Sequence, residues 1–107
     1  MNSKTPLVCN MGVFTPAERE AHILKTTQLI QAVQSVQELE NGYRFTFANQ
    51  TELISSIAEF IANERLCCPF LKFTLNVVST NEPFSLALSG PSGTQEFLRA
   101  EFSGAIP

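Results

Sequence analysis

The amino-acid sequence predicts a small α+β domain whose elements follow the order helix, hairpin, helix, hairpin, helix. Residues 51–66 place apolar side chains at the three- and four-residue spacing that forms one stripe of a helix. Residues 43–48, 71–77 and 84–89 instead alternate apolar and polar side chains, which is typical of half-buried strands. Strands with a single apolar face predict a four-stranded antiparallel sheet with the helices packed on that face.

Length and composition indicate one globular domain. The chain has 107 residues, of which 44% are apolar and 16% charged, a balance that favours a folded core over disorder. We expect residues 1–13 to be irregular and residues 104–107 to form a tail. The net charge is −3 and the seven basic residues are scattered, so the sequence predicts no basic face for binding nucleic acid.

The sequence also predicts a cytoplasmic protein that does not enter a membrane. No apolar run approaches the ~20 residues of a membrane-spanning helix. Residues 1–8 lack the basic start, apolar centre and small-residue cleavage site of a signal peptide. The three cysteines are an odd number and two of them are adjacent, which argues against a secreted disulfide framework and favours reduced thiols.

The first helix begins at a capping box. Thr15 is the N-cap, Pro16 is the first helical residue and Glu18 completes the box; the helix should continue to about Ile30. His22 lies one turn after Glu18, and this spacing is typical of a solvated pair, with a functional role for His22 as the alternative. The apolar face is weakly marked, which leaves outer positions that could cover a partner. The residues predicted to share the inner face are Ala17, Ala21 and Leu24.

Two hairpins supply the four strands. Residues 32–39 are ambiguous, because their apolar side chains would also continue the first helix. Asn41-Gly42 is a strong hairpin signal, however, so we predict a strand over 33–39 that pairs with the strand after the turn. A second turn, at 80–83, joins the last two strands. The sheet face away from the helices is polar or small, and is either solvated or a homodimer surface.

The second and third helices also carry start and stop signals. Asn49 with Glu52 has the form of a capping box for the second helix. The helix should end just before Pro69, because a proline pushes the preceding residue out of helical geometry. Ser92 with Gln95 can cap the last helix. The apolar residues of that last helix are Phe97, Leu98 and Phe102.

The end of the second helix brings a carboxylate and two sulfurs onto its apolar stripe. At ~100° per residue, Glu64 falls in the middle of the stripe, Cys68 follows it and Cys67 lies at its edge. A buried carboxylate needs a partner, and Arg65 points away from the stripe. Each position also has a simpler explanation, since buried cysteine behaves as a small hydrophobe and Glu64 could reach solvent at the helix end.

The cysteines are candidate ligands for a soft metal or metalloid ion. Three thiolates from Cys9, Cys67 and Cys68 would suit Hg(II), As(III), Cu(I) or Zn(II). His22 or Glu64 could supply the fourth ligand of a zinc site, and Glu64 could otherwise orient a ligand or accept its proton. The spacing is a weak signal, because no Cys-x-x-Cys is present and the sequence does not fix whether Cys9 approaches the other two.

Thiol redox or nucleophilic chemistry has less support. A reactive thiol needs a lowered pKa, usually from a helix N-terminus or a basic neighbour, whereas Cys67 and Cys68 lie at a helix C-terminus beside Glu64. A cysteine hydrolase needs a histidine close to the nucleophile, and the single histidine lies on a different helix.

The arrangement of motifs resembles a family of small bacterial proteins. The resemblance spans most of the chain, and its most specific part is the signature Glu64-Arg65-x-Cys67-Cys68-Pro69-Phe70. Similar segments occur beside, or fused to, regulators of the mercury-resistance type and other heavy-metal genes, so the resemblance implies a heavy-metal context. It implies no activity and assigns no metal ligand. The other matching segments are Cys9 with Phe14-Thr15-Pro16-Ala17-Glu18-Arg19, Gly42-Tyr43-x-Phe45, and Ser89-Gly90-Pro91-x-Gly93-x-x-x-Phe97-Leu98.

Three hypotheses follow from the sequence. The first is a non-enzymatic binder or sensor of a soft ion, with Cys67, Cys68 and Cys9 as its ligands. The second is a protein–protein interaction module, binding a regulator protein or a second copy, whose cysteines belong to the core. The third, and least favoured, is a thiol redox protein.

Overall fold

The computed structural model describes residues 7–107, which form three α-helices and one four-stranded antiparallel sheet. The predicted α+β class is therefore confirmed. No helix within this described range is both long and apolar enough to cross a membrane. In chain order the elements are a short 3-10 helix at Met11–Val13, α1 at Pro16–Ala32, β1 at Ser35–Leu39, β2 at Gly42–Phe47, α2 at Thr51–Cys67, β3 at Lys72–Asn76, β4 at Phe84–Ser89 and α3 at Thr94–Glu101.

The strands lie in the order β1-β2-β4-β3, so β2 and β4 form the centre of the sheet. Each strand runs antiparallel to its neighbours. The ambiguous segment after α1 resolves as a strand, because α1 ends at Ala32 and β1 pairs with β2 from Ser35 onwards. Gly42 begins β2, where a Cβ atom would clash with the Leu88 carbonyl oxygen. The close approach of β4 therefore requires glycine at this position.

The core lies between the apolar face of the sheet and the helices. Phe102 packs against Phe45 of β2 and Phe60 of α2, with ring centroids 5.6 and 6.2 Å apart. Burial of each such side chain contributes roughly 1.5–3 kcal/mol to folding. The side chains predicted to face the core from the central strands are buried, and they are Tyr43, Phe45, Phe47, Phe84, Leu86 and Leu88.

Helix α1 buries a different face from the predicted one. Leu24, predicted to face inward, is 58% exposed, whereas His22 and Leu29 are buried. The reason is that α1 packs against α2, where the His22 ring stacks on Phe60 with centroids 5.6 Å apart. Ile23 is exposed as well, so α1 presents two neighbouring large apolar side chains to solvent.

The predicted cap of α1 is confirmed and the caps of the other helices are corrected. Thr15 accepts the Glu18 backbone N–H at 3.1 Å, and the Glu18 carboxylate accepts the Thr15 N–H at 2.9 Å. Asn49 does not cap α2; its amide donates to three carbonyls of the loop between β3 and β4. The N-cap of α3 is Gly93 rather than Ser92, with the positive φ of 101° that glycine tolerates.

Candidate thiol site

The last turn of α2 presents Glu64, Cys67 and Cys68 on one buried face. The exposed fractions of these residues are 2%, 0% and 0%. The helix ends at Cys67 because Pro69 cannot continue it, yet the Cys68 N–H still donates to the Glu64 carbonyl at 2.8 Å. Cys68 therefore keeps the i, i+4 position above Glu64 that the helix pattern predicts, and Glu64 does not reach solvent.

Cys9 reaches this face from the segment before α1. The Asn10 backbone N–H donates to the Cys67 carbonyl at 2.7 Å and fixes the segment against the end of α2. The Cys9 and Cys68 sulfurs are within bonding distance and form a disulfide across 59 residues of chain. The expectation of three reduced thiols is therefore wrong for this state, because an odd cysteine count does not prevent one pair from meeting.

Cys67 is the remaining thiol. Its sulfur lies 3.7 Å from the Cys68 sulfur and 3.7 Å from a Glu64 carboxylate oxygen. Burial raises the pKa of Cys67 to about 12, and the negative charges of Glu64 and Glu101 add to the effect. The Cys67 thiol is therefore protonated at neutral pH, which agrees with the expectation that this helix end raises a thiol pKa.

His22 is the partner of Glu64. Its Nε2–H donates to the Glu64 carboxylate at 2.7 Å, and both side chains are buried. The predicted solvated pair with Glu18 is wrong, because the Glu18 carboxylate completes the capping box instead. The His22 ring packs against the rings of Phe14 and Phe60, with centroid distances of 5.4 and 5.6 Å. Its Nδ1 atom is buried and has no hydrogen-bond partner among residues 7–107.

Glu101, the last residue of α3, is a member of the site that sequence reasoning missed. Its carboxylate oxygens lie 3.8 and 3.9 Å from the Cys9 sulfur. Burial and the nearby charge of Glu64 raise the pKa of Glu101 to about 8. The sequence does contain a signal that Glu101 faces the core, because it follows Leu98 by three residues and so lies on the apolar stripe of its helix.

Six side chains from four segments therefore converge at one place. Every predicted site residue lies there, and Glu101 joins them. Their ligand atoms form three overlapping groups, and within each group all ligand atoms lie within 4.8 Å of one another. The groups are Cys9 with Cys67 and Cys68; Cys9 and Cys68 with Glu64 and Glu101; and His22 with Glu64 and Cys67.

The spatial arrangement of His22, Glu64 and Cys67 does not match that of a cysteine hydrolase. Glu64 lies between His22 and Cys67 and accepts hydrogen bonds from both. Within the described part of the chain, no hydrogen bond joins the imidazole to a sulfur. A hydrolase requires the imidazole itself to take the thiol proton. The arrangement instead holds a carboxylate in place beside three sulfurs. No family model, curated protein or solved structure matches the chain.

Proposed function

We propose that this protein, with Cys9 and Cys68 reduced, binds one soft metal or metalloid ion through the thiolates of Cys9, Cys67 and Cys68. The observation that carries the proposal is the convergence of the three sulfur atoms within 4.8 Å of one another. Thiolate ligands favour soft ions over the hard ions that prefer oxygen. The heavy-metal context implied by the family resemblance points in the same direction.

The distance between the Cys67 and Cys68 sulfurs suits an ion that binds both of them with a bent S–ion–S angle. Two bonds of about 2.3 Å from one ion to two sulfurs, at the angle of about 100–110° found in pyramidal and tetrahedral complexes, place the sulfurs about 3.5–3.8 Å apart. The Cys67 and Cys68 sulfurs are already 3.7 Å apart, so an ion bound to both requires little movement of α2. Cys9 supplies the third sulfur, because the Asn10 hydrogen bond to Cys67 keeps its segment in contact with the helix end.

The carboxylates and His22 support the sulfurs in this proposal. Glu64 accepts from Cys67 at 3.7 Å and lies 3.4 Å from the Cys68 sulfur, so it orients both and can receive a thiol proton when the ion binds. His22 holds Glu64 in place through the 2.7 Å hydrogen bond. Glu101 has the corresponding position beside Cys9.

The disulfide determines which redox state of the protein can bind the ion. Oxidation consumes two of the three sulfurs and leaves Cys67 as the single thiol. Thiolates, not disulfide sulfurs, are the ligands of soft ions. The binding state is therefore the reduced one, which the cytoplasm predicted from the sequence would maintain. A catalytic redox role has less support, because the raised pKa of Cys67 leaves little thiolate to attack a substrate.

An interaction module is the second candidate, and one observation favours it. Ile23 and Leu24 on α1 are 52% and 58% exposed although both are large and apolar. Such a pair could contact a regulator protein or a second copy of the chain. In that case the disulfide would be structural, and loss of a cysteine would lower stability without affecting partner binding.

Native mass spectrometry of the reduced protein with Zn(II), Hg(II) and arsenite tests the metal proposal. We expect uptake of one ion per chain, and loss of that uptake in Cys67→Ser and in Cys9→Ser. Glu59→Gln is a matched control, since Glu59 lies on the exposed side of α2 and pairs with Lys25. Circular dichroism of each variant verifies folding. Uptake that is absent from the wild type, or unchanged in Cys67→Ser, would favour the interaction module.

A further inference from the structure

We infer that the ion class this site accommodates best is a trivalent, three-coordinate metalloid, of which arsenite and antimonite are the available members. This inference rests on the proposed thiolate site and adds the identity of its ligand. Two features support it: the net charge of the ion with its three thiolates, and the number of ligands that the structure can supply.

The charge balance favours a trivalent ion. Three thiolates carry three negative charges, so a trivalent ion gives a neutral complex, whereas Zn(II) or Hg(II) leaves one negative charge and Cu(I) leaves two. That excess would lie beside the carboxyl groups of Glu64 and Glu101. Cys67 and Cys68 have no solvent exposure, and an uncompensated buried charge is strongly unfavourable.

The described residues provide no cation to offset such an excess. Lys25 pairs with Glu59 on the outer side of α2, and Arg99 contacts Tyr43 and Glu96. Over residues 7–107, no lysine or arginine forms an ion pair or hydrogen bond with a sulfur or carboxylate of the site. Among the described residues, His22 is the single basic side chain in contact with the site, and it is already bonded to Glu64.

The ligand number also favours a three-coordinate ion. A structural zinc site is nearly always tetrahedral and needs a fourth ligand. If Glu64 or Glu101 supplied it, the complex would gain a further negative charge. A trivalent metalloid bound to three sulfurs keeps a lone pair in the fourth position and needs no further ligand. The three cysteines alone therefore complete its coordination.

The group formed by His22, Glu64 and Cys67 is the competing site for zinc, and it would be neutral with a divalent ion. The orientation of the His22 imidazole makes zinc binding at this group unfavourable. If Nε2 bound a metal, the ring proton would move to Nδ1, and a ligating histidine almost always donates that proton to an acceptor. The Nδ1 atom of His22 is buried without any partner in the described residues. Zinc binding here would leave a buried N–H unpaired.

The exchange reaction with arsenite balances without an oxidant. Arsenite, As(OH)3, reacts with three thiols to give As(SR)3 and three waters. Three As–O bonds break and three As–S bonds form, and each thiol proton leaves with a hydroxide as water. Arsenic stays in its trivalent state throughout. The neutral reactant gives a neutral product, so no net charge is added beside the buried Cys67 and Cys68 sulfurs.

Native mass spectrometry of the reduced protein, offered equimolar arsenite and Zn(II) and, in a separate sample, Hg(II), tests this inference. We expect a mass gain of one arsenic atom less three hydrogens, with no zinc adduct. Each of Cys9→Ser, Cys67→Ser and Cys68→Ser should lose this species, and Glu59→Gln should retain it. Thermal unfolding of each variant shows that lost uptake is not lost folding.

Four outcomes would overturn the inference. An arsenic adduct that retains a hydroxide would show that only two sulfurs bind. A zinc adduct in place of the arsenic adduct, or Hg(II) uptake without arsenite uptake, would leave the thiolate site intact but assign it to a divalent ion. Failure of arsenite, Zn(II) and Hg(II) alike to bind would instead reject the proposed function together with the inference.

Discussion

His22 of α1 and Glu64 of α2, separated by 42 residues in the chain, are joined by a buried hydrogen bond of 2.7 Å. The bond connects the two long helices, and the His22 and Glu64 ligand atoms lie within 4.8 Å of the Cys67 sulfur. A carboxylate that the sequence leaves without a partner is in this way held at a fixed position beside the sulfurs. The pair therefore links the stability of the fold to the shape of the site.

Removal of the imidazole should be strongly destabilising. His22→Ala leaves the Glu64 carboxylate buried without its partner, and we expect the free energy of unfolding to fall by about 3 kcal/mol. Urea unfolding followed by circular dichroism measures this change. Lys25→Ala breaks the exposed Lys25–Glu59 pair and should lower the free energy by less than about 1 kcal/mol. Equal effects of the two substitutions would show that the buried His22–Glu64 pair contributes no more to the free energy of unfolding than an exposed ion pair does.

Reduction of the disulfide should lower stability while the fold is retained. For a loop of 59 residues, the chain-entropy model predicts a decrease of about 4 kcal/mol in the free energy of unfolding. Urea unfolding with and without a thiol-free reductant measures this decrease.

The oxidised protein should contain one thiol, Cys67, which a thiol reagent labels only after unfolding. Rapid labelling of the native oxidised protein would contradict this arrangement of the cysteines.

The bound ion and the disulfide should exclude each other. Oxidation by glutathione disulfide joins Cys9 to Cys68 and forms two molecules of glutathione, which removes two of the three proposed ligands. We expect the oxidised protein to take up no arsenite and the arsenite-loaded protein to form the disulfide much more slowly. Mass spectrometry after alkylation follows both reactions. An oxidised protein that binds as well as the reduced protein would place the ion elsewhere.

Glu101 should make stability depend on pH. The pKa of its carboxyl is raised to about 8 in the folded protein, so folding favours the protonated form. The resulting stabilisation is present below the ordinary glutamate pKa and is lost as the pH rises through about 8. Glu101→Gln should therefore raise the melting temperature relative to wild type more at about pH 9 than at about pH 5. Glu96→Gln, on the exposed side of α3, serves as control and should show no such difference.

Local patterns were sufficient to predict the part of the site that comes from one helix. Glu64, Cys67 and Cys68 lie at i, i+3 and i+4, so the helical repeat alone places them on one face. The capping box at Thr15 is equally local, because both of its hydrogen bonds join residues three positions apart. Predictions of this kind need no knowledge of the tertiary fold.

Contacts between distant segments account for the errors. Asn49 has the right spacing for a cap, but its amide finds three carbonyls about thirty residues later in the chain. His22 pairs across the interface between α1 and α2, not with the carboxylate one turn away. Cys9 meets Cys68 only because the N-terminal segment folds back onto α2. None of these partners is visible in the spacing of residues along the chain.

The hydrogen bond from the Asn10 N–H to the Cys67 carbonyl has a consequence for affinity. It involves only main-chain atoms, so reduction of the disulfide removes neither of its partners. Cys9 is then an intramolecular ligand whose effective concentration near the other sulfurs is millimolar or higher, as for other short tethers. Binding of the third sulfur would thus be independent of protein concentration, and a single dilute chain could enclose its ion without a second copy.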